Sequence, residues 1–290
     1  MSLFLRNMEV EDSQYRPDGE NAQLKLMSAD GTEFKVNTVI LTMGSRFFRE
    51  MLEIPRDPAE AGKPVELAEN GDIIAALLDI VHADERPMPD LSDFDFVWRL
   101  LKAADKYDMP RVLPLVRSHV MFKPGSDVIE QYALASAHDW AEERRWAAVQ
   151  ALGLDLHSIL NSSGIKKLST DGIVKLLKHR TERRRLLEDG IISIFSHECG
   201  DPEDPDTGWR YRDPSPPWKL AMAYILSELD KCPRGDNIGT WLIWHDYNPG
   251  LWDETCGECG TPIIKPEALW ADLQERIVEL DAKDLKDTSL

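Results

Sequence analysis

The sequence predicts an α+β fold: a small sheet with helices near the amino end, followed by a helical extension and a Trp-rich C-terminal region. Three observations carry that reading. Ala29-Asp30-Gly31-Thr32 has turn chemistry between two short apolar-rich runs, the local signature of a hairpin. Ser45 stands before Phe47, Phe48, Met51 and Leu52, which repeat at helical spacing, so its hydroxyl is placed to cap a helix. From Ser126 the apolar pattern becomes wholly helical, and beyond residue 199 prolines, glycines and six of the nine tryptophans gather (Trp209, Trp218, Trp241, Trp244, Trp252, Trp270).

The elements follow in order. Residues 1–19 are polar and acidic and read as a disordered lead-in. Hairpin strands are expected over 23–28 and 33–40. Phe34 and Val36 alternate, while Val39, Ile40 and Leu41 run together, as where a strand gives way to a buried connection. A helix over 45–52 precedes a loop holding Pro55, Pro58, Gly62 and Pro64, and then a short strand, Val65-Glu66-Leu67. Asn70 or Asp72 opens a helix whose Ile73, Ile74, Leu77, Leu78 and Val81 line one face. Pro87 and Pro89 break the chain. Another helix spans 94–107 with Phe94, Val97, Leu100, Leu101 and Ala104 inward, and Pro110 suits the first turn of the next, which ends near His119.

In the extension, Val128, Tyr132, Leu134, Ala135 and Ala137 mark one helix, and Trp146, Val149, Leu152 and Leu154 another. Thr170-Asp171 caps a third, which carries Ile173, Val174, Leu176 and Leu177 and extends to Phe195. The expected domains are 20–122, 123–198 and 199–290.

Composition narrows the function. A chain of 290 residues accommodates two domains, and 42% hydrophobic with 30% charged residues describes an ordinary globular protein. A net charge of -18 opposes a main role in gripping phosphate backbones. No apolar stretch is long enough to cross a bilayer, and the N-terminus lacks the apolar core and cleavage site of a secretion signal. Four cysteines in this length do not make a disulfide framework, so a cytoplasmic or nuclear location is expected. Nucleic-acid, membrane and small-molecule partners are not expected. The elbow, phosphate-loop, dinucleotide and zincin motifs are all missing, which argues against an enzyme.

Two motifs remain. Cys256-Gly257-Glu258-Cys259-Gly260 places two thiols where one zinc ion could be clasped, with Cys199 and His197 the nearest partners by type and Cys232 or His245 in reserve. The bland alternative is a pair of free or buried thiols, and the tryptophans around them read as core. The run His179-Arg180-Thr181-Glu182-Arg183-Arg184-Arg185 reads as the solvated side of a helix whose apolar side is Leu176, Leu177, Leu186 and Leu187. Its functional alternative is a nuclear address or a patch for an acidic partner.

The stretch from Ser28 to Leu52 resembles the opening of a BTB/POZ domain, through Asp30-Gly31, Phe34 to Val36, Val39 to Leu41, and Ser45-Arg46-Phe47-Phe48. Downstream, Leu101-Lys102-Ala103-Ala104-Asp105-Lys106-Tyr107-Asp108-Met109 carries a similar alanine-aspartate-lysine-tyrosine signature. The resemblance covers roughly the first 125 residues and is to the fungal members most. It departs at Asn37, where the family usually has histidine, and at Gln23, where many members have aspartate.

The resemblance implies a non-catalytic protein-interaction module. It self-associates as a homodimer or serves as an adaptor or scaffold, through the Phe47, Phe48 and Met51 face of the first helix and the N-terminal strand. It also implies that Tyr107 lies near the contact used by members that recruit a cullin scaffold. The alternatives are a substrate adaptor of a cullin-type ubiquitin ligase and a zinc-dependent enzyme built on the C-terminal cysteines.

Overall fold

The computed structural model describes residues 23–55, 62–82, 87–123, 125–195, 198–199, 210–211, 216–238, 255 and 266–286. The expected lead-in over 1–19, the Cys256/Cys259 motif, His197, Trp209, Trp241, Trp244 and Trp252 lie outside the described residues, as do the side chains of Cys199, Trp218 and Trp270. The chain divides into two compact units, Met1–Gly125 and Ser126–Leu290.

In the first unit, strands β1 (Gln23–Met27) and β2 (Glu33–Asn37) pair antiparallel, with Leu24 opposite Val36 and Leu26 opposite Phe34. Those four side chains are buried while Lys25 and Lys35 between them are exposed, so the period-two pattern sets which face meets the core. Gly31 turns the hairpin at φ 86°, where a side chain would be strained. Strand β3 (Val65–Glu66) lies parallel on the other side of β1, giving the order β2-β1-β3. Strand β2 returns the chain, and two helices then link β2 to β3 on the far side of β1.

Those helices correct the sequence reading. Residues 38–40 do not continue the strand: α1 (Thr38–Gly44) begins at once, with Asn37 as its N-cap accepting from the Val39 N–H at 2.8 Å. Thr38, Val39 and Ile40 prefer strands locally, but the cap and the burial of Leu41 outweigh that preference. Gly44 lets α1 lie against α3, since a Cβ there would come 2.7 Å from Val81 Cγ1. Helix α2 (Arg46–Glu53) then starts from Ser45, as its cap predicts.

Helix α3 (Gly71–Val81) buries Ile73, Ile74, Leu77 and Leu78. Its N-cap residue Asn70 makes no side-chain cap bond. Asp30, from the hairpin turn, accepts from the Gly71 N–H instead, at 3.2 and 3.1 Å through its two oxygens, and Asp72 accepts from Ile73 at 2.8 Å. Helix α4 (Phe94–Lys106) opens on Asp93 and buries Val97, Leu100, Leu101, Ala103 and Ala104. Helix α5 (Val112–Val120) starts after Pro110, which stands outside it.

In the second unit, α6 (Val128–Ala137) and α7 (Ala141–Ala151) pack around Ile129, Tyr132, Ala147, Ala148 and Ala151. A short helix α8 (Leu156–Asn161) and a 3₁₀ turn (Ser163–Lys167) fold back onto α6. Gly164 makes that approach, since a Cβ on it would sit 2.6 Å from the Ile129 carbonyl carbon. The buried Glu130 carboxylate accepts from Lys167 Nζ at 2.9 Å and from the Ser163 hydroxyl. Helix α9 (Thr170–Phe195) runs 26 residues, and Ser169, one residue earlier than the expected cap, accepts from the Gly172 N–H at 3.1 Å. Strands β4 (Glu198–Cys199) and β5 (Arg210–Tyr211) pair antiparallel. Helices α10 (Pro216–Lys231) and α11 (Pro266–Asp284) pack on α9.

The basic run on α9 is split: Thr181, Glu182 and Arg185 are exposed, as a solvated side would be, while His179, Arg180 and Arg183 are not. Arg183 is 1% exposed and His179 and Arg180 are buried, because α10 and α11 lie on that side. Arg180 donates to the carbonyls of Leu154 at 2.5 Å, Asp230 at 2.8 Å and Lys231 at 2.9 Å, covering the orphan carbonyls at the end of α10. Arg184 pairs with Asp230 and Glu188, and Arg185 with Glu182 and Asp189. Leu176 and Leu187 are buried on the same helix. Leu177 and Leu186 are half-buried, and guanidinium groups satisfied by carbonyls and carboxylates share the buried side of the helix with the leucines.

Candidate protein-interaction surface

Ser45 organises the α1–α2 corner. Its hydroxyl accepts from the Phe48 N–H at 3.1 Å and donates to the Tyr107 carbonyl at 2.5 Å, while its own N–H donates to Leu41 O at 2.9 Å. The Arg46 N–H reaches Asp108 O at 3.1 Å, so the first turn of α2 is pinned to the end of α4. That end is a sharp one: Asp108 adopts φ 45°, and Met109 N–H closes back on Ala104 O at 2.9 Å.

Three rings fill the corner. Phe48 stacks on Tyr107 with centroids 5.2 Å apart, and Phe47 meets Phe48 edge-on at 5.2 Å and Tyr107 at 5.4 Å. The Tyr107 hydroxyl donates to Glu69, which also accepts from Lys106 Nζ at 2.9 Å, and that ammonium lies 4.9 Å from the Tyr107 ring centroid. Burial, then the Glu69 carboxylate, pushes the Tyr107 phenol well above its ordinary value. Burial alone would raise Glu69, but the hydrogen bonds from Tyr107 and Lys106 outweigh it and hold the carboxyl below its usual range.

The four expected interaction residues therefore separate. Phe48 is 2% and Tyr107 1% exposed, so both belong to the core and neither offers its ring to a partner. The helical period turns Phe48 inward, and the third ring of the stack covers Tyr107. Phe47 is exposed and Met51 half-buried at the surface. Sequence reasoning passed over Val39, Met43 and Ile54, which with Phe47 are 48%, 71%, 66% and 40% exposed. Reading 38–40 as strand hid the first two, because only a helix places Val39 and Met43 four apart on one face. Exposed large apolar side chains collected along two consecutive helices mark a docking surface more often than singly scattered ones do.

Residues 13–121, which span the antiparallel hairpin, the capped helical corner, the parallel third strand, α3 and α4, match the BTB/POZ domain. The chain carries a BTB/POZ domain. No curated protein matches the chain. As a BTB/POZ domain the first unit is a protein–protein interaction module, a class that is typically non-catalytic. Among the described residues no group of three or more His, Cys, Asp or Glu side chains is placed to hold a metal ion. The proposed zinc ligands Cys256, Cys259, Cys199 and His197 lie outside the described side chains. Cys232 is buried at the end of α10. No described helix is long and apolar enough to cross a membrane.

Proposed function

We propose that the BTB/POZ unit self-associates through the apolar run along α1 and α2, and that the chain acts as an adaptor or scaffold that presents its second unit on a dimer. The observation that supports this is a contrast along α1 and α2: Val39, Met43, Phe47 and Ile54 are exposed, while Ser45, together with Phe48 and Tyr107 on which Phe47 packs, is buried and locked. A rigid apolar surface loses little conformational entropy on docking, so more of its burial, about 25 cal/mol per Å², appears as affinity. The flanking Arg46, Arg49 and Glu50 give the patch a charged rim, the usual margin of such interfaces.

The test is sedimentation equilibrium of the full chain across the micromolar range. The reading expects a mass above the monomer that falls on dilution. A monomer at the highest concentration would refute it.

A further inference from the structure

We propose that the face of α9 carrying His179 and Arg183 is a receptor for an acidic amphipathic helix of a separate protein, and that α11 is its built-in, displaceable occupant. Arg183 reads α11 with both arms of its guanidinium: Nη1 donates to Asp284 Oδ2 at 3.0 Å, and Nη2 to Asp281 Oδ1 at 2.5 Å and to the Ile277 carbonyl at 3.2 Å. His179 Nε2 lies 3.1 Å from the same Asp284 oxygen. Carboxylates three residues apart share one helix face, so a single planar fork recognises both.

Shape adds to charge. Leu273 and Leu280 are buried and Ile277 half-buried, which with Asp281 and Asp284 make one stripe along α11. Gly190 on α9 leaves room for Arg276, whose Nε a Cβ would approach to 2.5 Å, and Gly235 leaves room for Ile277. The receptor thus specifies a helix with two carboxylates three apart, preceded by apolar residues at helical spacing.

Two features make the occupant exchangeable. Gln274, Glu275, Val278, Glu279, Ala282 and Lys283 are exposed, so among the described side chains of α11 the apolar anchors are Leu273, Ile277 and Leu280, and elements with few buried apolar contacts open at the low end of the stability range. Withdrawing a guanidinium and two carboxylates from water costs much of what their attraction returns, so the clasp fixes register and orientation more than it holds the helix. When α11 leaves, all three groups regain water, and the arginine face becomes open to a competing acidic helix.

The experiment titrates a fluorescent synthetic peptide of residues 266–290 with the full chain, read by anisotropy. Saturable binding is expected, weakened at least about thirtyfold when the peptide carries Asp281→Asn and Asp284→Asn. Tighter binding is expected to a full chain whose own helix bears those two substitutions. Hydrogen exchange on the unmodified chain gives an arm free of variants: α11 amides are expected to exchange by local opening, faster than those of α9. Failure of the peptide to bind either chain, or α11 amides that exchange only with global unfolding, would overturn the proposal. A concentration-dependent mass that the two Asn substitutions abolish would assign the face to α11 of a second copy, and would overturn the separate-partner reading. Substitutions at Met43 and Phe47 leave the anisotropy and hydrogen-exchange readouts untouched, and the mass readout is taken on a chain carrying Met43→Asp and Phe47→Asp, which keeps this test apart from that of the α1–α2 surface.

Discussion

The Ser45 hydroxyl donates to the carbonyl of Tyr107, 62 residues further along the chain, at 2.5 Å, and accepts from Phe48 N–H at 3.1 Å with its lone pairs. One oxygen atom thereby caps α2 and joins it to the end of α4. Removing it exposes two consequences at once: a lost helix cap and a carbonyl left buried without its donor.

Ser45→Ala is expected to destabilise the chain by about 1–3 kcal/mol, combining a cap loss with an unsatisfied buried acceptor. Ser45→Thr should recover part of this, because its hydroxyl can fill both roles. Urea unfolding monitored by circular dichroism measures both, and a Ser45→Ala midpoint equal to that of the unmodified chain would refute the assignment.

Tyr107→Phe removes the phenolic donor from the half-buried Glu69, leaving Lys106 as its side-chain partner, and is expected to cost about 1–2 kcal/mol. The pH dependence has two arms. Glu69 is held below the ordinary glutamate value, so its contribution is present above that ordinary value and is lost as pH falls through the lower folded one. Tyr107 is raised above 10.0, so its contribution is present below that pH and is lost as pH rises through the higher folded value. The variant should flatten both arms of the stability–pH curve, and unchanged curvature would count against the pair.

Met43→Asp combined with Phe47→Asp places two carboxylates on the proposed self-association surface. The double variant is expected to fold with an unchanged circular dichroism spectrum, since both side chains are exposed, and to shift sedimentation to the monomer. A variant that keeps the mass of the unmodified chain would move the interface elsewhere.

Arg183→Met strands Asp281 and Asp284 against an apolar side chain and is expected to cost about 3–5 kcal/mol. Adding Asp281→Leu and Asp284→Leu should restore most of that loss, since a well-packed apolar cluster replaces a buried ion pair at little net change. Thermal unfolding of the single and triple variants decides it, and a triple variant no more stable than the single one would show that packing cannot substitute for the charges.

The hairpin, the Ser45 cap and the faces of α3 and α4 were legible because each depends on near neighbours: a turn residue, a hydroxyl three positions from its donor, apolar side chains at helical period. What escaped the sequence depends on distant ones. Residues 38–40 carry strand propensity, and the burial of Leu41 and Gly44, the latter against Val81 of α3, adds to the Asn37 cap in making them a helix. Arg183 looks solvated until Asp281 and Asp284 arrive from about a hundred residues away. Phe47 and Phe48 are chemically alike, and only the position of Tyr107 decides which of them is left at the surface.

Asp30 extends that lesson to local stability. Its carboxylate, tied to Ser28 within the turn, also receives the first N–H of α3 from Gly71, 41 residues away. The hairpin tip and the start of α3 are therefore held in one geometry by a contact that spans 41 residues. The loop-closure entropy of that separation has to be offset by the contacts it brings together, so the carboxylate of Asp30 ties the local stability of the turn to the docking of α3.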